Sequence, residues 1–222
     1  MATPGADCRP ALLFQELAAA YGPQHWWPAD TVAETIIGAI LTQNTTWSNV
    51  ERVLGILRQE QLLDFGRLTS LSHAQLAPLI RASGYYNQKS RRLQEFGRRL
   101  HNDFGSLKRL AALPTGELRQ WLLAVNGIGK ETADSILLYA FQRPVFVVDA
   151  YTTRIFSRHA MVAHQATYDQ IQDYLHANLQ PRARIYNEFH ALLVRVGKDY
   201  CKKRQPACAA CPLDTLLPRE EV

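Results

Sequence analysis

The chain lacks any apolar stretch long enough to cross a bilayer, which would take roughly 18 consecutive apolar residues. The apolar stretch "PVFVVDAY" is interrupted by Asp149. The first ten residues, "MATPGADCRP", do not show the basic and then apolar order of a secretory signal. We therefore expect a cytoplasmic protein that does not insert into membranes and that resides where thiols stay reduced.

Cysteine is scarce, with four in 222 residues, and four thiols in a reducing compartment do not make a disulfide framework. Three of them, Cys201, Cys208 and Cys211, fall within eleven residues. A Cys-x-x-Cys pair lets two sulfurs face one metal, and thiolates suit both zinc and iron–sulfur centres. The spacing therefore predicts a metal site.

The sequence shows no convincing alternating strand pairs, no internal repeat and no low-complexity segment. Apolar residues make up 47% of the chain and recur at helical spacing, so we predict an all-α fold with about ten helices and a sizeable core. The formal net charge of +5 favours a polyanionic partner. The predicted helices are Ala11–Tyr21, Thr31–Leu41, Trp47–Glu60, Ala74–Ala82, Lys89–Asp103, Thr115–Val125, Lys130–Phe141, Ala150–Ser157, Thr167–Leu179 and Arg184–Lys198. Asp30 and Asp149 are predicted N-caps.

The segment "NGIGKETADSILLYA" follows a predicted helix and reads as helix, Gly-x-Gly turn, helix. Gly127 and Gly129 allow a tight turn with close backbone approach, and the amides that open the second helix can bind a phosphate. A dinucleotide-binding fingerprint would need a preceding strand and a third glycine, and neither is present. Taken alone, the turn is more typical of an ordinary helix connection.

The number of residues between this turn and Asp149 favours a functional role for the turn over an ordinary helix connection. The stretch "NGIGKETADSILLYAFQRPVFVVDAYTTR" resembles the helix-hairpin-helix, Gly/Pro-rich loop and Asp signature of the endonuclease III superfamily of DNA glycosylases, although Val125-Asn126 replaces the family's Leu-Pro. The resemblance covers nearly the whole chain. It implies a six-helix barrel lobe, residues 30–143, that carries the hairpin. It also implies a second lobe, residues 1–29 and 144–222, that carries a cysteine loop at 201–211.

The resemblance also implies a set of DNA-binding residues. In "GAILTQNTTWSNV", Gln43 matches the family glutamine that enters the duplex where the damaged nucleotide is extruded, and in "IRASGYYNQKSRRL", Tyr85 matches the side chain that wedges into the opposite strand. The expected partner is double-stranded DNA with damaged bases, bound by a nucleoid-associated monomer. The full DNA-binding set is Gln43, Tyr85, Asn87, Lys89, Gly127, Gly129 and Lys130. Basic Arg91, Arg92, Arg98 and Arg99 follow on the same predicted helix, where they equally fit a solvated face.

In the same way, "CKKRQPACAACPLDTLL" resembles the family's C-terminal iron–sulfur loop, which implies a [4Fe–4S] cluster. The fourth cysteine expected by that pattern is replaced by Leu217. The family's N-terminal segment packs beside the C-terminal lobe, so Cys8 is the candidate fourth ligand after Cys201, Cys208 and Cys211. Zinc, a three-thiolate cluster with an outside ligand, and a loop without metal are the alternatives.

The resemblance assigns catalysis to Asp149, whose carboxylate would stabilise the positive charge that develops on the sugar and orient the attacking water. Bifunctional members carry a lysine that attacks the sugar at the position of Glu131. The attacking lysine forms an imine with the sugar, which a glutamate cannot do. Lys130 is one residue away, about 100° around a helix, so its side chain should point elsewhere. The expected reaction is base release without strand cleavage.

The segments "HWWPADTVAETIIGAILTQNTTW" and "YNEFHALLVRVGKDYC" are similar to the branch that removes 3-methyladenine and related alkylated purines. Electron-rich rings suit a cationic base, although each tryptophan equally fits a packed core. The expected base-pocket residues are Trp26, Trp27, Trp47 and Lys198. Two alternatives stay open: a bifunctional glycosylase/lyase for oxidised pyrimidines, and a damage-binding protein without turnover.

Overall fold

The structure is a computed structural model that describes residues 7–214 of the chain. The prediction of an all-α fold is confirmed: within those residues the structure contains α-helices, short 3₁₀ turns and one π-helical segment, and no strand. The α-helices are α1 Arg9–Tyr21, α2 Val32–Leu41, α3 Trp47–Gln59, α4 Phe65–Ser70, α5 His73–Leu79, α6 Tyr86–Asp103, α7 Leu107–Leu110, α8 Thr115–Leu123, α9 Lys130–Ser135, α10 Ala150–Arg158, α11 Tyr168–Asn178 and α12 Ala183–Asp199.

The chain divides into two compact units. One unit is the continuous segment Trp27–Phe141, which holds α2 to α9, and we call it the hairpin unit. The other combines residues 7–26 with 142–214 and holds α1 and α10 to α12, and we call it the terminal unit. In the described part of the chain, no helix is both long and apolar enough to span a membrane.

In the hairpin unit, α2 is the most buried helix and packs against α3, α6 and α9. The buried carboxylate of Glu34 is neutralised by Arg58 of α3, so this charge does not stand unpaired in the core. The long helix α6 packs on α4 and α5 through Leu93, Phe96 and Leu100 and turns its arginines outward. Its apolar stripe therefore anchors a strongly basic exposed face.

In the terminal unit, α12 packs against α1 and α10. Phe146 and Phe189 meet edge to face at 5.8 Å, in the geometry that aromatic pairs prefer. Gly197 allows close approach of α10, because a Cβ at this position would overlap the Tyr151 ring. This packing brings the start of α10 beside the middle of α12.

Several local features differ from the sequence predictions. The helices α4 and α7 were not predicted, since six and four residues are too few to show a helical period. The prediction of Asp30 as the N-cap of α2 was wrong: Thr31 is the cap, and its side chain accepts from the amide of Glu34 at 3.1 Å. Asp149 is confirmed as the N-cap of α10.

The predicted helix Lys130–Phe141 changes character halfway, because Ile136–Ala140 is π-helical. Segments of this kind are rare and often lie at functional sites. Here the wider turn carries Tyr139, whose ring stacks on Trp27 at 4.8 Å with an interplanar angle of 11°.

Candidate functional site

The Gly-x-Gly turn joins α8 to α9 inside the hairpin unit. Gly127 has φ +85°, a left-handed conformation that glycine adopts without strain, and the amide of Ile128 closes the turn on the carbonyl of Val125 at 3.0 Å. Across the hairpin, Arg119 forms a two-point ion pair with the fully buried Asp134 at 2.6 and 2.9 Å. Because this pair joins α8 to α9, the two helices hold the turn in one geometry.

Gln43 is fixed on this turn. Its Nε2 donates to the carbonyl of Gly127 at 3.0 Å and to Oγ1 of Thr132 at 2.9 Å, and its Oε1 accepts from Arg92. A Cβ at Gly127 would overlap the Arg92 side chain, whose Cγ would lie 2.9 Å away. Gln43 therefore joins two predicted DNA-binding elements, the glutamine loop and the hairpin, and Arg92 supports it from α6.

Tyr85 lies at the tip of the turn before α6, with 64% of its surface exposed. Its φ of +44° is in the left-handed region, which is unfavourable for a side chain of this size. Such backbone strain persists only where the surrounding structure maintains it, and an exposed aromatic ring suits a wedge between stacked bases. Asn87 is exposed one residue into α6.

The sequence predicted that Lys89 contacts DNA, which would require it to lie at the surface. In the structure its side chain is buried instead. Its ammonium is buried and donates to the carbonyls of Leu41 at 2.8 Å and Ser83 at 2.6 Å. Burial, and secondly the nearby Arg92 guanidinium, lower the pKa of Lys89 to about 8. Because Leu41 precedes the Gln43 loop and Ser83 precedes the Tyr85 turn, Lys89 holds these two loops together.

Asp149 caps α10 in the terminal unit. Its Oδ1 accepts from the amide of Thr152 at 2.7 Å, and its Oδ2 lies 3.6 Å from Nε2 of His190 on α12. Burial on its own raises the pKa of Asp149, but the contacts with His190 and then with Thr152 outweigh it and hold the pKa below the ordinary value. Asp149 is therefore a carboxylate at neutral pH, although only 13% of its side chain is exposed.

His190 is the functional candidate that the sequence predictions missed. It lies on the buried stripe of α12 with Tyr186 and Phe189, and its ring approaches Trp26 at 6.3 Å. One feature of the sequence could have indicated His190: it is a titratable residue within an apolar helical stripe, in a segment that resembles the family. Only the packing of α12 on α10 shows that this residue faces Asp149.

The four predicted base-pocket residues fall into two pairs. In the terminal unit, the ammonium of Lys198 lies 5.9 Å from the ring centre of Trp26, within cation–π distance. In the hairpin unit, Trp27 contacts Trp47 at 5.0 Å, in addition to its stacking on Tyr139. Trp27 has φ +64°, so a strained backbone presents this ring to its neighbours.

Glu131 and Lys130 occupy the first turn of α9, and both are exposed. Gly129, which caps this helix without a side chain, is also exposed, and a Cβ added there would have no neighbour within 4 Å. The turn therefore presents bare backbone at Gly129 and the side chains of Lys130 and Glu131 at the surface.

The cysteine loop follows α12. Burial raises the pKa of Cys211, and the thiols of Cys201 and Cys208 raise it further. Arg158 donates to Sγ of Cys201 at 3.2 Å. Cys8 is exposed at the start of α1. Among residues 7–214, however, no three side chains of His, Cys, Asp or Glu form a group that could hold a metal ion, so the described residues do not complete a cluster site; Leu217 lies outside them.

Comparison with known proteins identifies the class. Residues 37–181 match the family described as "HhH-GPD superfamily base excision DNA repair protein". The chain is 45% identical over 195 residues to a protein of Methanocaldococcus jannaschii whose name describes it as an inferred DNA repair glycosylase. The match covers 87% of this chain and 88% of that protein. The chain therefore belongs to the HhH-GPD superfamily, and it is a DNA glycosylase of base excision repair.

Two solved structures extend the likeness. The H. pylori 3-methyladenine DNA glycosylase bound to 1,N6-ethenoadenine is similar to this chain with a TM-score of 0.73 and 27% identity, over 86% of this chain and 97% of that one. A non-covalent endonuclease III–DNA complex is similar with a TM-score of 0.79 and 22% identity, over 93% and 92% of the two chains. The endonuclease III fold predicted from the sequence is thereby confirmed.

Proposed function

We propose that this DNA glycosylase is monofunctional and hydrolyses the N-glycosidic bond of alkylated purines, such as 3-methyladenine, in double-stranded DNA. The observation that carries the proposal is an ionised, well-positioned carboxylate, Asp149, in a chain that has Glu131 where lyase members have a lysine. Such a chain has a group to stabilise a charged sugar but no amine at the family's nucleophile position.

Asp149 would act through its negative charge. As the base departs, the sugar gains positive charge, and a carboxylate held in a low-dielectric environment stabilises it more strongly than water does. Oδ1 accepts from the Thr152 amide and Oδ2 lies beside His190, so the attacking water would be oriented through a remaining lone pair of the carboxylate. His190 is a positioning residue in this proposal, since its contact with Oδ2 favours the ionised form.

The hairpin unit would bind and distort the DNA. The exposed turn at Gly127 and Gly129 offers backbone amides to one phosphate, with Lys130 beside them. Gln43 and Tyr85 would fill the space left by the extruded nucleotide, whose unstacking requires a few kcal/mol. Lys89, buried below both loops, would position them and make no direct DNA contact.

The preference for alkylated purines rests on two supports. This chain matches 97% of the length of the H. pylori protein, which is named a 3-methyladenine DNA glycosylase. In addition, the aromatic rings of Trp27 and Trp47 would favour a cationic base by about 0.5–2 kcal/mol each where a face is open, whereas Trp26 already has the Lys198 ammonium near its ring. An alkylated purine is already a good leaving group, so a single carboxylate suffices as catalyst.

The experiment that tests this function compares a methylated duplex with a thymine-glycol duplex and measures released base and nicking, each with and without alkali. We expect methyladenine release and nicks that appear only after alkali. Nicking at thymine glycol without alkali would favour the bifunctional alternative, and borohydride trapping would then locate the reacting lysine. Binding of damaged duplex with no base release from either would favour the non-enzymatic alternative.

An iron–sulfur cluster stays a prediction of the cysteine pattern, and no step above depends on it. We expect protein purified without oxygen to be yellow-brown and to contain iron and sulfide, both of which Cys201→Ala should abolish. Cys8→Ala tests the fourth ligand: loss of iron from a folded protein would support Cys8, and full retention would exclude it. A colourless protein with one equivalent of zinc would replace the cluster by a thiolate zinc site.

A further inference from the structure

A basic groove lies on the outer face of α6, beside the glycine turn. Its volume is about 550 Å³. It is lined by Gln88, Arg91, Arg92, Glu95, Arg98 and Asn126. Three guanidinium groups therefore face a single carboxylate, and Asn126 connects the groove directly to the turn at Gly127.

The arginines of the groove differ in whether another side chain pairs with them. Arg92 is engaged by Gln43, and Arg98 pairs with Glu95 at 2.8 Å in a contact that is exposed on both sides. No ion pair joins Arg91 to another residue in the part of the chain that the structure describes. An exposed pair of this kind contributes little to stability, so the groove keeps an excess of positive charge that no fold requirement explains.

The spacing of the outermost arginines suits a nucleic-acid backbone. Arg91 and Arg98 are seven residues apart on one helix, which places their Cα atoms about 10 Å apart. Guanidinium groups this far apart would contact different phosphates of one strand. A single small anion would need its cations to converge, and here they are spread along two helical turns.

We infer that this groove binds the phosphate backbone of the DNA next to the segment gripped by the glycine turn, through Arg91 and Arg98. The groove extends the binding surface along the strand by two or more phosphates and supplies sequence-independent affinity. The inference deepens the proposed function, on which it rests for the identity of the ligand. Glu95 limits this affinity, because it holds the Arg98 guanidinium that a phosphate would otherwise take.

The test is the salt dependence of binding to a duplex with a stable abasic-site analogue, measured by fluorescence anisotropy between about 50 and 200 mM salt. Removing one arginine that binds a phosphate should reduce the slope of log K against log salt by about 0.9. The double variant Arg91→Ala, Arg98→Ala should therefore lower the slope by about 1.8. The control variant, Lys108→Ala with Arg109→Ala, removes the same charge from exposed positions of α7 and should leave the slope unchanged.

A gain of affinity keeps the test decisive even if the double variant is destabilised. Glu95→Gln removes the only carboxylate among the groove-lining residues and should bind the duplex more tightly, with a steeper slope. A wild-type slope in the groove variant, or an equal fall in the α7 control, would overturn the inference. An acidic peptide that binds the wild type but not the groove variant, while duplex binding stays intact, would overturn it in favour of a protein partner.

Base release separates this inference from the proposed function. If the groove variant keeps the wild-type slope yet releases methyladenine at low salt, only the groove assignment fails. If the wild type releases no base while the slopes change as expected, the proposed reaction fails and the groove remains a phosphate-binding surface.

Discussion

Asp149→Asn is expected to slow base release by about 10²–10⁴-fold under single-turnover conditions, with little change in the thermal unfolding midpoint. Asparagine caps a helix about as well as aspartate, so its side-chain oxygen can still accept from the Thr152 amide. What it lacks is the negative charge. The substitution therefore separates the structural role of Asp149 from its proposed chemical role, which the sequence alone could not separate.

Asp149→Ala is the matched control, because it removes the cap as well as the charge and should lower stability by about 1 kcal/mol. Its rate of base release should resemble that of the asparagine variant, while its unfolding midpoint should fall below it. If Asp149→Asn releases base at the wild-type rate, the carboxylate has no chemical role and the mechanism is wrong.

The pH dependence of the same reaction tests His190. His190 is the titratable side chain that faces Asp149 from α12, and the other partner of this carboxylate, Thr152 on α10, does not titrate. In the wild type, the pKa of Asp149 is held below its ordinary value, so its protonation should not limit the rate near neutral pH. In His190→Gln the contact with the imidazole that lowers the pKa of Asp149 is lost, so this pKa should rise and the acid limb of the rate profile should move to higher pH. A lower rate with an unmoved acid limb would show that His190 is only a packing residue.

Gly127→Ala is expected to weaken affinity for damaged duplex by at least about tenfold, the equivalent of about 1.4 kcal/mol. Alanine in the left-handed region costs about 1–2 kcal/mol, and its Cβ would also displace the Arg92 side chain. Since Arg92 holds Gln43, the change should disturb the turn and the glutamine loop together. Equilibrium binding and thermal unfolding of the variant measure both effects.

Gly129→Ala is the matched comparison within the same turn. Gly129 has φ −89°, which alanine adopts freely, and a Cβ there meets nothing within 4 Å, so stability should not change. If the turn binds a phosphate through its backbone, the added methyl group should still weaken DNA binding several-fold. Unchanged affinity in both glycine variants would place the phosphate contact elsewhere.

The class of the protein could be predicted from local patterns. The 3.6-residue period of apolar positions indicated the all-α fold, and the segment from the Gly-x-Gly turn to Asp149 resembled the signature of the superfamily. The family model and the solved structures confirm both. Helix caps were less certain, since neighbouring polar residues compete: Asp149 is a cap as predicted, whereas Thr31 replaces Asp30.

Individual side chains were less predictable than the fold. Lys89 lies in a basic run and reads as a surface residue, yet the helix phase of α6 turns it inward onto two carbonyl oxygens. His190 reads as part of an apolar stripe, and its partner Asp149 is 41 residues away in sequence. Contacts of this range have no local signal, because they depend on which helices pack together and at what rotation.

By itself, then, the sequence determined the helical class, the glycine turn, the catalytic aspartate candidate and the absence of a lysine at position 131. The helices and the turn depend on residue type and short spacing, because local backbone preferences determine them. The assignments of Asp149 and position 131 depend on the resemblance of the sequence to the superfamily. Tertiary structure alone decided that His190 faces Asp149, that Gln43 bonds both Gly127 and Arg92, and that Arg91 and Arg98 share a groove. Burial and distance set the charge state and reach of these groups, and both arise only when the helices have packed.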